Sequence, residues 1–199
     1  MKHFRFTSFL TSNADFETNF IEKLVEQCSF KTVLKDEFLL QKGAYCQHAF
    51  FVENGLLRQY STDEKGKEHI IQFAPENWII SDRDSVFFHN PSQYYVQAIE
   101  DSEVLLIEEK LIIELSQKDQ AFNQYNNKLL HNHIRHLQKR INMLLGATAE
   151  ERYLDFISTY PDVLLRVPQI MVASYLGITP ETLSRIRKNL SQKHIGKTS

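Results

Sequence analysis

The spacing of apolar and polar residues changes along the chain, and each change indicates a different kind of element. Near the start, Phe16, Phe20 and Leu24 lie four residues apart, which predicts one face of a helix over residues 12–28. Short apolar groups separated by turn residues then predict strands at 30–34, 37–41, 48–52, 56–60, 68–73, 94–99 and 103–107. Many short strands at regular spacing are typical of a β-sandwich or barrel.

Helical spacing returns after the last predicted strand, with a short helix expected at 110–118 and a long one at about 119–145. In the long helix, apolar residues alternate in steps of four and three, as in a heptad seam: Leu130, Ile134, Leu137, Ile141 and Leu144. A seam of only two repeats can pack on its own domain or pair with a second copy of the chain. The strongly polar residues beside it favour the pairing, so we expect a dimer contact.

The end of the long helix is a candidate domain boundary. Gly146 is a typical helix terminator, and the spacing of Thr148 and Glu151 predicts a capping box that starts a helix at about 148–159. We therefore expect three parts: a β-rich domain at 1–118, a dimerisation helix with a hinge at 119–146, and a C-terminal domain at 147–199.

The C-terminal part contains the strongest motif, a helix-turn-helix at residues 168–190. Pro168 suits the first turn of a helix, Gly177 suits a left-handed turn, and Thr179 with Pro180 suits the start of a second helix. The apolar residues expected to lock the two helices together, with Ala173 at their crossing, are Val172, Leu176, Ile178, Leu183 and Ile186.

The outer face of the second helix would then carry Glu181, Ser184, Arg185 and Lys188. A carboxylate and a guanidinium followed by further cations are typical of a helix that reads the major groove of DNA. A helical hairpin with a purely structural role is the alternative.

The distribution of charge along the chain gives a different indication from its net charge. The net charge is −2 and the pI about 6.4, which alone would not indicate a nucleic-acid-binding protein. Residues 166–199, however, contain six basic side chains and one acidic one. A basic end on an acidic body favours DNA binding.

The order of elements, together with four motifs, resembles the Crp–Fnr family of bacterial transcription regulators over about residues 15–192. The motifs are Leu-Gln-Lys-Gly at 40–43, Phe-Val-Glu-Asn-Gly at 51–55, Asp-Glu-Lys-Gly-Lys-Glu at 63–68 and Leu-Gly-Ile-Thr-Pro-Glu-Thr-Leu-Ser-Arg at 176–185. The resemblance implies an α+β fold with an N-terminal β-roll like a cyclic-nucleotide-binding domain. A long dimerisation helix and a winged-helix-like helix-turn-helix domain with a reduced wing would follow.

The same resemblance implies a homodimeric, sequence-specific DNA-binding regulator. It assigns base reading to Glu181 and Arg185, while Pro180 stands where many members have a further arginine. The complete set that we expect at the DNA is Thr179, Glu181, Thr182, Ser184, Arg185 and Lys188.

The expected effector pocket departs from the family pattern. Cyclic-nucleotide-binding members have Gly-Glu and Arg-Ser or Arg-Thr pairs, and the corresponding pairs here resemble Ile80-Ser81 and Ser92-Gln93. The arginine that would hold a cyclic phosphate is therefore missing, and the nearby Arg83 could replace it only if the loop rearranged. We expect neither cyclic AMP nor cyclic GMP, and the domain would sense an unknown small ligand or none.

Other chemistry is poorly supported by the sequence. Two cysteines, Cys28 and Cys46, are fewer than the four thiolates of a usual iron–sulfur cluster, and no haem is expected. His131, His133 and His136 lack a carboxylate to complete a metal set. We expect no catalytic residues, no metal and no enzymatic activity.

The expected partners are double-stranded DNA, a second copy of the chain, RNA polymerase and an unidentified effector. We expect no membrane contact and a cytoplasmic location, because no apolar run approaches the length of a membrane span. One alternative is a small-molecule sensor or interaction module that does not bind DNA. Another is a cupin-type metalloenzyme, although His48, His69 and His89 are too dispersed for its ligand set.

Overall fold

The computed structural model describes residues 4–14 and 16–195. The chain forms two compact units, Met1–His131 and Asn132–Ser199. The long helix α5 (Gln120–Gly146) contributes its first part to one unit and its second part to the other. The three-part division expected from the sequence stays a prediction.

The first unit contains two antiparallel four-stranded sheets that form a β-roll. One sheet has the strand order β1 (Ser29–Val33), β8 (Ser102–Glu108), β3 (His48–Asn54) and β6 (Ile79–Ile80). The other has the order β2 (Phe38–Leu40), β7 (Tyr95–Ala98), β4 (Leu57–Thr62) and β5 (Glu68–Ala74). The seven predicted strands are confirmed to within a few residues at each end. The two-residue β6 was missed because so short a strand has no alternating pattern.

Helices cover one side of this unit. They are α1 (Phe4–Asn13), α2 (Thr18–Glu26), α4 (Glu109–Lys118) and the start of α5. The short helix α3 (Arg83–Phe88) contributes Val86 to the core between the sheets instead. The prediction of one helix over 12–28 is wrong, because Glu17 has extended backbone angles and α2 begins only at Thr18. Phe16 precedes the helix but packs against Phe20, with ring centroids 5.0 Å apart, so the four-residue spacing reflects a shared cluster.

Two apolar cores hold the first unit together. The cluster between the sheets includes Val33, Phe50, Leu57, Val96 and Val104. The second cluster packs the helices on the outer side of the first sheet, and it comprises Phe6, Leu10, Ile21, Leu24, Ala49, Phe51, Leu105, Ile107, Leu111, Phe122 and Tyr125.

A buried carboxylate fixes the N-terminal helix α1 on the β-roll. Glu53, only 6% exposed, accepts hydrogen bonds from the backbone N–H groups of Arg5 at 3.1 Å and Phe6 at 2.9 Å. These donors have no partner within the helix, and a negative charge at a helix N-terminus is favourable. Glu53 therefore provides the acceptor for two backbone N–H groups that would otherwise lack a hydrogen-bond partner.

The second unit is helical throughout its described part. After α5 come α6 (Ala149–Thr159), α7 (Val163–Arg166), α8 (Gln169–Leu176) and α9 (Pro180–Ile195). The predicted capping box is confirmed, because the Glu151 N–H donates to the Thr148 hydroxyl and the Thr148 N–H donates to the Glu151 carboxylate. The regular elements between residues 147 and 195 are helices only. The reduction of the wing stays a prediction.

Candidate nucleic-acid interface and ligand site

Helices α8 and α9 are joined by a tight left-handed turn. Gly177 has φ +65° and ψ +37°, and its N–H donates to the carbonyl of Ser174. The N–H of Ile178 donates to the carbonyl of Ala173 at 3.0 Å. This pair of hydrogen bonds caps the C-terminus of α8 in the pattern that glycine favours. The turn predicted from the sequence is therefore present.

A threonine organises the first turn of α9. The Thr179 hydroxyl accepts a hydrogen bond from the backbone N–H of Thr182 at 3.3 Å, as an N-cap residue does. The Thr179 hydroxyl donates to the hydroxyl of Thr182 at 3.3 Å. Hydrogen bonding to its own backbone N–H and to Thr179 lowers the pKa of Glu181, which favours the anionic form at the helix N-terminus.

The inner faces of the two helices pack together and against α6. Four of the residues predicted to lock the motif are fully or nearly fully buried, whereas Ile178 is only partly buried. The buried apolar residues of this unit are Tyr153, Phe156, Tyr160, Val163, Val167, Val172, Ala173, Tyr175, Leu176, Leu183 and Ile186. Because this core is continuous across α6, α8 and α9, it fixes the angle between α8 and α9.

The outer face of α9 is left to solvent. Of the residues predicted to contact DNA, Thr182 is partly buried and the others are exposed: Thr179, Glu181, Ser184, Arg185 and Lys188. In a helix, positions 181, 184, 185 and 188 share one side. The structure thus brings these side chains together on one accessible helical face.

The predicted dimer seam is not buried in the single chain. The exposed fractions are 49% for Ile134 and 56% for Ile141, while Leu130 and Leu137 are partly buried. Leu144, 39% exposed, lies beside the α8–α9 turn, because its Cδ2 would be 3.5 Å from a Cβ atom placed on Gly177. The use of this seam as a dimer contact stays a prediction.

The residues predicted to form the effector pocket are already engaged in the fold. Ile80 is buried in the core between the sheets, and the Ser81 carbonyl accepts a hydrogen bond from the Gln59 side chain at 3.5 Å. The buried Ser92 hydroxyl donates to the Tyr94 carbonyl at 3.1 Å, whereas Gln93 is exposed.

Arg83, the cation of this set, forms an ion pair with a glutamate. Its Nη1 lies 3.3 Å from Oε2 of Glu109. Arg83 directly follows Asp82 in the sequence. The Asp82 carboxylate accepts hydrogen bonds from the backbone N–H groups of Asp84 and Ser85 and so caps α3. Aspartate directly before a helix is a usual capping signal, so this short helix could have been recognised from the sequence.

A second arginine, missed by sequence reasoning, is buried in the β-roll. The Arg58 guanidinium donates to Gln97 and Glu68 and lies 4.2 Å above the centroid of the Tyr60 ring. The preceding residue, Leu57, belongs to the core between the sheets. Since neighbouring side chains in a strand point to opposite faces, Arg58 is buried on the face of its sheet that points away from the core between the two sheets.

No group of three or more His, Cys, Asp or Glu side chains that could hold a metal ion occurs within residues 4–14 and 16–195. Cys28 and Cys46 form no disulfide. Burial raises the pKa of the Cys28 thiol to about 12 and also raises the pKa of Cys46. Both are therefore neutral thiols near pH 7.

Comparisons with known proteins extend the likeness beyond the motifs. Residues 30–119 match the family model described as the cyclic nucleotide-binding domain. An anaerobic regulatory protein of Pasteurella multocida is 26% identical over 176 residues, covering 83% of this chain and 64% of its own length. The chain thus spans just under two thirds of the length of that relative.

Solved structures show the same fold. FixK2 from Bradyrhizobium japonicum superposes with a TM-score of 0.73 at 21% identity, covering 84% of this chain and 86% of its own. A structure from Eubacterium rectale, described as a transcriptional regulator of the crp/fnr family, has a TM-score of 0.68 at 15% identity and covers 94% and 88%. The resemblance to Crp–Fnr regulators expected from the sequence is therefore confirmed at the level of the fold.

The β-roll of the first unit coincides with the part of the chain that matches the cyclic nucleotide-binding domain. The family match ends at residue 119, immediately before α5. In the described part of the chain, no helix combines the length and hydrophobicity needed to cross a membrane.

Proposed function

We propose that this protein is a member of the Crp–Fnr family and a sequence-specific, DNA-binding transcription regulator that acts as a homodimer. The observation that carries the proposal is the exposed face of α9, where Glu181, Ser184, Arg185 and Lys188 lie together on a helix whose other side is buried. A helix held rigidly by its inner face can enter the major groove and present these side chains to base edges.

The chemistry of this face suits both parts of DNA recognition. A guanidinium can donate two hydrogen bonds to a guanine, and a carboxylate can accept from a cytosine amine. Cations farther along the helix would contact phosphates and position the protein without reading sequence. The excess of basic residues in 166–199 supports this interface, since it lies on a chain whose net charge is −2.

A dimer is supported by the apolar residues of α5 that remain accessible in the single chain. Ile134 and Ile141 lie seven residues apart and are each about half exposed. Two copies of such a helix would bury these residues against each other, as in a short coiled coil. The dimer would present two α9 helices to DNA. Binding to DNA near a promoter would place the protein next to RNA polymerase. We therefore propose RNA polymerase as a partner and the cytoplasm as the location of the protein.

Competition binding tests the proposal directly. The labelled probe is a DNA duplex that the protein has selected from a pool of random sequences. It is displaced either with unlabelled copies of the same duplex or with random duplex. We expect the enriched duplex to bind at least ~10³-fold more tightly than random DNA at physiological salt. Equal displacement by both competitors would contradict sequence-specific binding.

For the β-roll, we propose that the ligand is not a cyclic nucleotide. The residues do not fit a cyclic phosphate, because Ser92 and Gln93 carry no charge and Arg83 is paired with Glu109. A phosphate buried without a cation would lose its hydration without compensation. The domain would therefore sense another small ligand or serve as a structural unit.

Calorimetry with cyclic AMP and cyclic GMP checks this part. We expect no binding tighter than about 100 μM, equivalent to roughly −5.5 kcal/mol. Micromolar binding would contradict the expectation, and an Arg83→Gln variant would then show whether that side chain has left Glu109 to hold the phosphate. Lys110→Gln, which removes a positive charge at an exposed position of α4 outside the predicted pocket, is the matched control.

A further inference from the structure

One arginine of α5 contacts the C-terminal end of α8, the first helix of the helix-turn-helix. Within the second unit, the Arg140 guanidinium lies 3.6 Å from the centroid of the Tyr175 ring. The same group donates a hydrogen bond from Nη2 to the backbone carbonyl of Tyr175 at 3.0 Å. Two different interactions therefore connect Arg140 to a single residue that lies 35 positions later in the chain.

Tyr175 is well placed to transmit this contact. It is the residue before the last of α8 and directly precedes the Leu176–Gly177 turn into α9. Its ring packs against Phe156 and Tyr160, with centroids 5.3 Å and 5.6 Å away. A cation is favourable at a helix C-terminus, where backbone carbonyls lack partners within the helix. Arg140 therefore fixes the end of α8 by charge, hydrogen bond and ring stacking.

The neighbouring residue on α5 makes a second connection. Lys139 forms an ion pair with Asp155 of α6. Side chains of α5, α6 and α8 line a small open pocket around these contacts. Because Arg140 lies at this solvent-accessible pocket and is only partly buried, its truncation would leave a space that water can fill.

We propose that Arg140 is a positioning residue for DNA recognition: it sets the direction of α8, and through the Gly177 turn that of α9, relative to the long helix. This inference rests on the proposed function, since it assumes that the long helices pair and that α9 reads DNA. The contacts that define this role are with Tyr175, and we assign Arg140 no DNA contact.

Positioning affects specific and random DNA differently. Specific binding requires both α9 helices of a dimer to meet base edges at a fixed separation. Binding to random DNA depends mainly on phosphate neutralisation and tolerates a looser orientation. Loss of the Arg140 contact should therefore lower affinity for the operator while leaving affinity for random DNA nearly unchanged.

The test compares Arg140→Ala with Arg135→Ala. Arg135 is an exposed residue of the same helix, so its replacement removes the same charge at a site five residues away. We expect Arg140→Ala to lose about tenfold in operator affinity, given the usual strength of cation–π contacts and charged hydrogen bonds. Both variants should lose less than about twofold on random DNA.

A conservative variant separates positioning from a general loss of folding. Arg140→Lys keeps the charge and can reach the carbonyl, but it lacks the planar group that stacks on the ring. We expect an intermediate loss on the operator, with an unchanged melting temperature and oligomeric state. Hydrogen exchange of the backbone amides at 175–178 should be faster in Arg140→Ala than in Arg135→Ala, with or without DNA.

The outcomes distinguish the two proposals. If the wild-type protein does not discriminate between operator and random DNA, the proposed function fails, and the exchange measurement alone decides whether Arg140 holds the turn. If the wild type discriminates but Arg140→Ala behaves like Arg135→Ala in operator binding, the positioning role is wrong. Equal losses on operator and random DNA in Arg140→Ala would also overturn it.

Discussion

Replacement of both Ile134 and Leu137 by lysine should convert the proposed dimer into monomers. Two copies of the variant would bring four ammonium groups to the apolar contact between the long helices, without acidic partners there. Burying unpaired charges is strongly unfavourable, so we expect the dimer dissociation constant to rise by at least ~10³-fold, about 4 kcal/mol. Sedimentation velocity at micromolar concentration measures this change directly.

A matched double variant controls for the added charge. Gln138 and Asn142 are exposed on the same helix, outside the 4–3 apolar spacing. Gln138→Lys with Asn142→Lys should remain dimeric. If Ile134→Lys with Leu137→Lys also remains dimeric, the seam faces its own domain and the interface is wrong. A monomer would present one α9 helix instead of two, so operator affinity should fall together with dimerisation.

Elements with strong local signals were predictable from the sequence. Thr148 and Glu151 form both hydrogen bonds of the capping box, and Gly177 takes the left-handed conformation between α8 and α9. These features depend on residues only a few positions apart, and their backbone conformations favour particular residue types. The helix-turn-helix could be placed for this reason.

Contacts between distant residues were not predictable. Helix α1 was missed, and it is held by Glu53, which lies 47 residues beyond Phe6 in the sequence. The contact of Arg140 with Tyr175 likewise connects two helices, so the sequence shows Arg140 only as a polar residue beside an apolar seam. The sequence around each of these residues gives no signal for the contact, because the partner lies far away along the chain.

The candidate ligand site shows an intermediate case. The family resemblance located the segments around Ile80 and Ser92. Their sequence already showed that the arginine expected in the second segment is absent. It left open whether Arg83 could substitute. The structure shows its side chain beside Glu109, a residue at the start of α4 that follows the last strand of the β-roll.

Arg185→Ala should have the largest effect of any single substitution on the recognition of sequence. Arg185 lies one helical turn beyond Glu181 on the exposed face of α9. A bidentate contact from its guanidinium to guanine would contribute about 1–3 kcal/mol of discrimination per half-site. In a dimer, both half-sites lose this contact, so operator affinity should fall by ~10²-fold or more.

Lys188→Ala is the matched comparison on the same face. Lys188 is also exposed, but it lies almost one further turn along α9, where a helix entering by its N-terminus approaches the phosphates. Its loss should weaken binding to operator and random DNA by similar factors. The slope of log affinity against log salt should decrease by about one ion per contact removed.

Competition titration of the wild type and both variants, at two salt concentrations, tests most directly whether α9 reads DNA. The operator is expected to be a near-palindrome with half-sites about one helical turn, ~34 Å, apart. We predict that Arg185→Ala loses much affinity for the operator and little for random DNA, whereas Lys188→Ala loses affinity for both DNAs by similar factors. Equal losses on both DNAs for Arg185→Ala would show that this residue contacts only phosphate, and would contradict the proposed reading face.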